Sequence, residues 1–230
     1  MENDSVAFFL KHSKEAVQIY PGLRLTTAAQ PSLEGEITLK DNTGIGIETY
    51  QLKILPAQGY PFVFPYVFET AGKIPLNADW HVYESFGHLC LCTTTDEYIK
   101  AAGGITLVSF IRDELEPYLY NQLHRNLTGF FLHDMAHGEA GELAGLKRLM
   151  STPLIGNIHW LLIKVMEGWH LNRTSVCFCS SGRKYRHCHR QAIDSLSRIQ
   201  PARLKILLAI VEQSAEYKAH LFRLDTGMRH

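Results

Sequence analysis

The sequence has no excess charge of either sign. Its 23 Lys and Arg residues are matched by 23 Asp and Glu, so no general attraction for nucleic acid or an anionic membrane is expected, and only local patches remain to be considered. Nor does it contain a run of 18 apolar residues, so no membrane span is expected. The opening Met1-Glu2-Asn3-Asp4-Ser5 lacks a basic region, and the apolar run from Val6 to Leu10 is too short for a signal core; the expected compartment is the cytoplasm. No internal repeat or low-complexity tract is present. Gly138-Glu-Ala-Gly141-Glu-Leu-Ala-Gly145 lacks the Gly-Lys-Ser/Thr ending of a phosphate loop, so an adenylating activity in this chain is not expected, and these small residues are expected to permit close helix packing. Cysteine is sparse: five residues in two clusters, Cys90/Cys92 and Cys177/Cys179/Cys188. In a reducing compartment such clusters are reactive or metal-bound more often than disulfide-bonded.

What is present is enough for an ordinary core. With 230 residues and 46% apolar content, one large domain, or a medium domain and a small one, can be built without disulfides. Asp4 or Ser5 is expected to cap a first helix that ends near Tyr20, before Pro21-Gly22. Leu33 to Asp41 alternates apolar and polar residues, as does Ile47 to Leu55; with the turn Asp41-Asn42-Thr43-Gly44 between them they predict an antiparallel hairpin. Two prolines, Pro61 and Pro65, make Gly59 to Pro65 an ordered loop leading into an edge strand over Tyr66–Thr70. Ala71 to Thr95 has no periodicity, and a segment of that length without regular structure is usually functional. Helices are predicted from Ile105 to about Leu123, Gly138 to Met150, Leu154 to Trp169, and Pro201 to about Leu221. The order of helix, strands, loop and helices reads as α+β.

Cys177-Phe-Cys179-Ser-Ser-Gly-Arg-Lys-Tyr-Arg-His-Cys188-His189 is the most specific short pattern. Three thiolates and one imidazole suit tetrahedral zinc, and four protein ligands leave no open position, which makes the expected zinc structural. Ser180-Ser181-Gly182 would turn the chain between the ligand pairs. Arg183, Lys184, Arg186 and His187 can offset the thiolate charge, and His187 is not expected as a fifth ligand. The segment, about residues 174–192, resembles the SEC-C motif, with Phe178 in place of that motif's proline and Ser180 in place of its first glycine; neither substitution falls on a ligand.

The second cluster lies in Phe86-Gly87-His88-Leu89-Cys90-Leu91-Cys92, downstream of Tyr60-Pro61-Phe62-x-x-Pro65-x-Val67-Phe68. The two elements together resemble ubiquitin-conjugating enzymes over about residues 1–125. What the resemblance implies is a ubiquitin-conjugating-enzyme-like domain over 1–125, a helical extension carrying the zinc knuckle over 126–230, and a transferase that holds a partner's C-terminus on Cys90 as a thioester before passing it to an amine on a target protein. A thiolate is the nucleophile in such chemistry, and the tetrahedral intermediate needs a donor for its oxyanion. His81 or His88 could favour the thiolate.

The family's His-Pro-Asn element falls here at Trp80-His81-Val82, without the asparagine. His81 is the nearest residue to replace it, as oxyanion donor or as general acid/base, with Asn77 a weaker candidate. Cys92 is expected to be a packed thiol, and a second metal site from Cys90, Cys92, His81 and His88 is the less favoured reading of this cluster. A Trp-His pair before Gly-x-x-Cys resembles divergent bacterial relatives from antiphage defence operons. The partner this implies is a cyclic-oligonucleotide synthase or a ubiquitin-like protein; no membrane and no direct nucleic-acid contact are implied. The competing reading is a non-catalytic adaptor that binds carrier proteins. His133, His137, His159 and His170 are expected to be ordinary, partly exposed histidines.

Overall fold

The computed structural model describes residues 2–27, 30–134, 136, 138–179 and 181–226. It is a mixed α+β structure that divides into two compact units. The first comprises Met1–Cys92 and Gly103–Met135; the second comprises Thr93–Ala102 and Ala136–His230. Each has a core of its own. The expected division at residue 125 does not follow these units: the stretch after Cys92 belongs with the C-terminal unit, and the first unit continues to 135.

In the first unit, helix α1 (Glu2–Ile19) is followed by strands β1 (Leu23–Thr26), β2 (Ser32–Lys40), β3 (Gly46–Leu55) and β4 (Tyr66–Glu69). They form an antiparallel sheet in the order β1-β2-β3-β4. The period-2 pattern decides which side is buried: Leu33, Ile37 and Leu39 of β2 and Tyr50, Leu52 and Ile54 of β3 point inward. The expected hairpin pairs Leu33 with Ile54 and Ile37 with Tyr50. Asp41 organises its turn, because Oδ1 accepts from the amides of Thr43 and Ile45 at 2.8 and 2.9 Å.

Strand β1 was not legible in the sequence, since four residues are too few for a periodicity. Neither Asp4 nor Ser5 caps α1, which begins at Glu2. Ser5 is instead buried within the helix, where its hydroxyl accepts from the Gly59 amide at 3.0 Å.

Close approach of two backbones fixes the start of the sheet. Gly35 has φ +135°, and a Cβ there would lie 2.1 Å from the Gly22 carbonyl oxygen. A Gly35→Ala substitution meets both a disfavoured backbone conformation and a backbone overlap, so a destabilisation of about 3 kcal/mol is expected. Thermal denaturation should register it as a Tm lowered by about 10 °C; an unchanged Tm would mean that the β1–β2 junction is loose.

Opposite the sheet run α3 (Leu107–Phe110), a π-helical turn (Ile111–Leu115) and α4 (Glu116–Thr128). Thr106 and Ser109 form a capping box at the start of α3, and Gly129 ends α4 with φ 88°. The sequence predicted one regular helix here, starting at Ile105 and ending near Leu123. The π turn comes directly before Pro117, whose ring excludes a normal i→i−4 bond, so the widened turn accommodates the missing amide. Leu107, Phe110, Ile111, Leu115 and Leu119 are buried.

In the second unit are α2 (Thr94–Ala101), α5 (Gly138–Met150), α6 (Ile155–Met166), α7 (Arg190–Leu196), α8 (Pro201–Gln213) and α9 (Ala215–Asp225). Helices α2 and α7 were not predicted; both are short, and each starts at the end of a segment read for its chemistry, the aperiodic stretch to Thr95 and the metal-ligand segment to 192. Glu142 of α5 holds the start of α2 by accepting from the Thr94 amide and hydroxyl at 2.9 and 2.8 Å. Gly145 permits this approach, since a Cβ there would lie 2.8 Å from Thr93 Oγ1. The single helix expected from Pro201 to Leu221 is broken at Ser214, which is extended with ψ 146°. Its hydroxyl donates to the Val211 carbonyl at 2.6 Å and accepts from the Tyr217 amide at 3.1 Å, closing one helix and capping the next. No single helix among the described residues is long and apolar enough to cross a membrane.

Candidate functional site

The metal-ligand candidates sit on a small hairpin. Val176 and Lys184 bridge, Cys177 donates its amide to the Arg183 carbonyl at 2.8 Å, and Tyr185 donates to Ser175 at 2.8 Å. The chain then makes a 3-10 turn over Tyr185–His187, and His189 stands at the head of α7. The ligand atoms of Cys177, Cys179, Cys188 and His189 all lie within 4.8 Å of one another. His189 Nδ1 is 3.3 Å from Cys177 Sγ and 3.2 Å from Cys188 Sγ, and the Cys179 and Cys188 sulfurs are 3.5 Å apart. Zinc–sulfur bonds of about 2.3 Å and zinc–nitrogen bonds of about 2.0 Å require tetrahedral edges of roughly 3.5–3.8 Å, close to this spacing. Among the described residues, no other cluster of His, Cys, Asp and Glu could hold a metal ion. The alternative site from Cys90, Cys92, His81 and His88 is therefore not formed.

A second observation favours the metal. His189 is buried, and its Nε2 lies 2.6 Å from the Met150 carbonyl oxygen. A carbonyl only accepts, so Nε2 carries the proton and Nδ1, facing the sulfurs, is left as a lone-pair donor. That carbonyl is available because α5 ends in a left-handed turn at Ser151, φ 48°. There Ser151 and Thr152 donate to Arg148 and Lys147 at 3.3 and 3.2 Å, and Met150 is left without a helical partner. Nothing along the chain marks Met150 for this role, because a backbone carbonyl carries no residue signature.

Burial pushes the Cys177 thiol up. For Cys179 burial acts the same way but is outweighed by hydrogen bonds from the Ser181 hydroxyl and amide and from the neighbouring thiols, which bring it down to about 6. His187 points elsewhere, with Nε2 2.9 Å from Arg186 Nε. Phe178 packs against Trp160, Trp169 and His189 at centroid distances of 5.7, 5.5 and 4.9 Å. Phe178, one of the two departures from the motif, thus anchors the knuckle to α6.

In the first unit, Ala78–Trp80 forms a 3-10 turn ended by His81 in the left-handed conformation, φ 54°. Asn77 caps it by accepting from the Asp79 amide at 2.7 Å, so its side-chain oxygen is committed locally. Beyond the turn, Val82 and Leu89 form an antiparallel bridge. Tyr83 donates to the His88 carbonyl at 2.9 Å, and Cys90 to the His81 carbonyl at 2.7 Å. In this ladder His81 stands opposite Cys90, as Tyr83 stands opposite His88. Leu89 also donates to Val67 of β4 at 2.8 Å, which ties the Cys90 segment to the sheet.

Tyr118 and Gln122, one turn apart on α4, hold the strained turn. The Tyr118 hydroxyl lies 3.2 and 3.1 Å from the carbonyls of Trp80 and His81, and Gln122 Nε2 donates to Trp80 at 2.9 Å. Burial and the adjoining Cys90 both push the Tyr118 phenol up. Arg125 lies over the rings of Trp80 and Phe131, at 4.1 and 4.5 Å, and donates to the Asp79 carbonyl. Tyr118 and Gln122 fall four apart on the helix predicted from Ile105, and that pair was the available signal, since buried polar tips need partners.

His88 occupies a different environment from the one expected. Its ring sits among Tyr83, Tyr66, Phe86 and Phe68 at 4.5, 4.9, 5.9 and 6.2 Å, and burial pushes its pKa down. It packs the loop. Cys90 and Cys92 are both half-buried, and Cys90 Sγ lies 3.9 Å from the Cys92 carbonyl. His159 pairs with Glu212 at 3.1 Å and the His133 carbonyl accepts from Asn121; His137 lies outside the described residues.

Comparison with curated proteins and with solved structures gives no significant match to the chain. Residues 173–191 match the SEC-C motif, and Cys177, Cys179, Cys188 and His189 within them form a cluster that could hold a metal ion and fits a zinc-binding motif.

Proposed function

We propose that the first unit has a ubiquitin-conjugating-enzyme-like fold and is a cysteine acyltransferase that carries the C-terminus of a partner protein on Cys90 as a thioester and passes it to an amine of a target. The observation that carries this reading is the ladder that sets His81 opposite Cys90, with Tyr118 buttressing the turn. The Cys90 amide donates to the His81 carbonyl, which makes a thiol-bearing and an imidazole-bearing residue neighbours across the bridge, and the Tyr118 phenol adjoins Cys90. In the forward step the Cys90 sulfur attacks the activated carboxyl carbon of the partner, expels its leaving group and forms the thioester. In the transfer step an amine attacks that carbon, the C–S bond breaks, and the thiol is regenerated. His81 accepts and returns the proton.

We assign the metal to zinc and its role to structure, since four protein ligands fill a tetrahedron. The knuckle fastens the helices of the second unit, which we propose recognises the partner or the target. The partner classes that fit the sequence resemblance are a cyclic-oligonucleotide synthase and a ubiquitin-like protein, and the setting is bacterial antiphage defence. Intact mass measured after incubation with a candidate carrier and its activating enzyme tests the reading. A mass increase of one carrier that disappears under reductant is expected. Carrier binding without such an adduct would favour the adaptor reading instead.

A further inference from the structure

His81 is nearly fully buried, at 5% exposure, in a loop where a buried imidazole needs a partner. Its ring packs on Phe131 at 4.8 Å, and its Nε2 lies 3.3 Å from Asp134 Oδ1. Asp134 follows α4 by a short loop in which Asn121 of that helix accepts from the amides of Leu132 and His133 at 2.9 and 3.2 Å. The carboxylate is therefore placed by a chain of contacts from the helix that also carries Tyr118 and Gln122.

Beyond the proposed reading, though on the same thiol, we infer that Asp134 is the positioning residue of a Cys90–His81–Asp134 relay. The contact between His81 and Asp134 is at ion-pair distance without hydrogen-bond alignment; with a carboxylate beside it, Nε2 is the nitrogen favoured to keep the proton, which leaves Nδ1 with its lone pair. The Cys90 amide donates to the His81 carbonyl at 2.7 Å, so the two residues are neighbours across the bridge, and the relay requires the imidazole to turn its free nitrogen toward the thiol. The Cys90 proton moves to Nδ1, giving a thiolate and an imidazolium, and the Asp134 carboxylate stabilises the cation. Among the described residues, ionisable groups near His81 include the Tyr118 hydroxyl on its carbonyl and Arg125, which covers Phe131 and Trp80. Arg125 is a cation and opposes the imidazolium; Asp134 is the anion that offsets it.

Alkylation by iodoacetamide tests the relay without any carrier. The Cys90 sulfur displaces iodide, forming an S–C bond as the C–I bond breaks, and only the thiolate reacts at a useful rate. The experiment uses the full chain with Cys92→Ser, so that one labelled sulfur is read on the Cys90 peptide by mass spectrometry across pH 5–9. Asp134→Asn and His81→Gln should each slow Cys90 alkylation about fivefold at pH 6.5 and move the pH inflection upward, because a stabilising charge has been lost. The double variant should be no slower than His81→Gln alone, since the two groups act as one unit, and Asp134→Glu should restore part of the rate.

Asp134 is exposed at the surface, so its replacement leaves the fold in place, and an unchanged circular dichroism spectrum and Tm verify that. An Asp134→Asn profile superimposable on the parent overturns the relay, whatever His81→Gln does. Thioester formation is a separate readout: if no carrier ever loads Cys90 while the Asp134 effect holds, the transferase reading fails and the relay stands.

Discussion

Chelation of the metal, or Cys177→Ala, is expected to unfold the knuckle and remove most of the stability of the second unit. Metal binding in small Cys/His sites contributes about 10–16 kcal/mol near neutral pH, against about 5–15 kcal/mol for the whole stability of an ordinary domain. Removing one thiolate leaves two sulfurs and an imidazole confined within a few ångströms, with no cation to hold them together. The consequences extend past the hairpin. His189 would lose the reason to present Nδ1, its bond to the Met150 carbonyl would be free to exchange, and Phe178 would no longer be pinned between Trp160 and Trp169. The measurement is amide hydrogen exchange with metal content read on the same sample. The amides of Cys177 and Tyr185, both bonded in the hairpin, should lose protection by about a hundredfold or more, while amides of β2 and β3 in the first unit keep theirs. Retained protection at Cys177 in metal-free protein would show that packing alone supports the knuckle.

Replacing Cys90, the proposed nucleophile, is expected to have the second large effect. Cys90→Ala should abolish the carrier adduct outright, and Cys90→Ser should convert it into an oxyester that survives reductant and yields to hydroxylamine or alkali. The hydroxyl is a far weaker nucleophile because it is not ionised near neutral pH, so loading should be slower by a factor of about a hundred or more while the product accumulates. Gel analysis with and without reductant reads both variants. Neither substitution disturbs the loop through the backbone, because the bonds from Cys90 to His81 and from Leu89 to Val67 are made by amides. An adduct persisting on the Ala variant would place the acyl group on another residue, with Cys92 the first to check.

The two sites were legible in the sequence to different degrees. Four candidate metal ligands within thirteen positions can be read directly, because the ligand types and the turn between them are local. Their assembly into one cluster follows from a hairpin and a single 3-10 turn. The thiol site is built from three separated segments, and only the first two, around His81 and Cys90, have any sequence signature. The positions of Tyr118, Gln122 and Asp134 depend on α4 crossing behind the Trp80 turn and on the loop after Gly129. No spacing along the chain reveals that. His88, two residues from Cys90, illustrates the reverse: nearness in sequence suggested a role, and contacts with Tyr83 and Tyr66 hold its ring in an aromatic nest instead.

The sequence by itself determined the α+β order, the β2–β3 hairpin and its buried face, and the metal-ligand set, because each rests on short-range periodicity or on residue chemistry that tolerates few substitutes. Tertiary structure alone decided the short strand β1, the π turn before Pro117, the break at Ser214, the pairing of His189 with the Met150 carbonyl, and the meeting of His81 with Cys90 and Asp134. In every one of these the deciding partner is a backbone group or a residue far along the chain, and the free energy that selects the geometry comes from burial and from satisfying polar groups inside the folded unit.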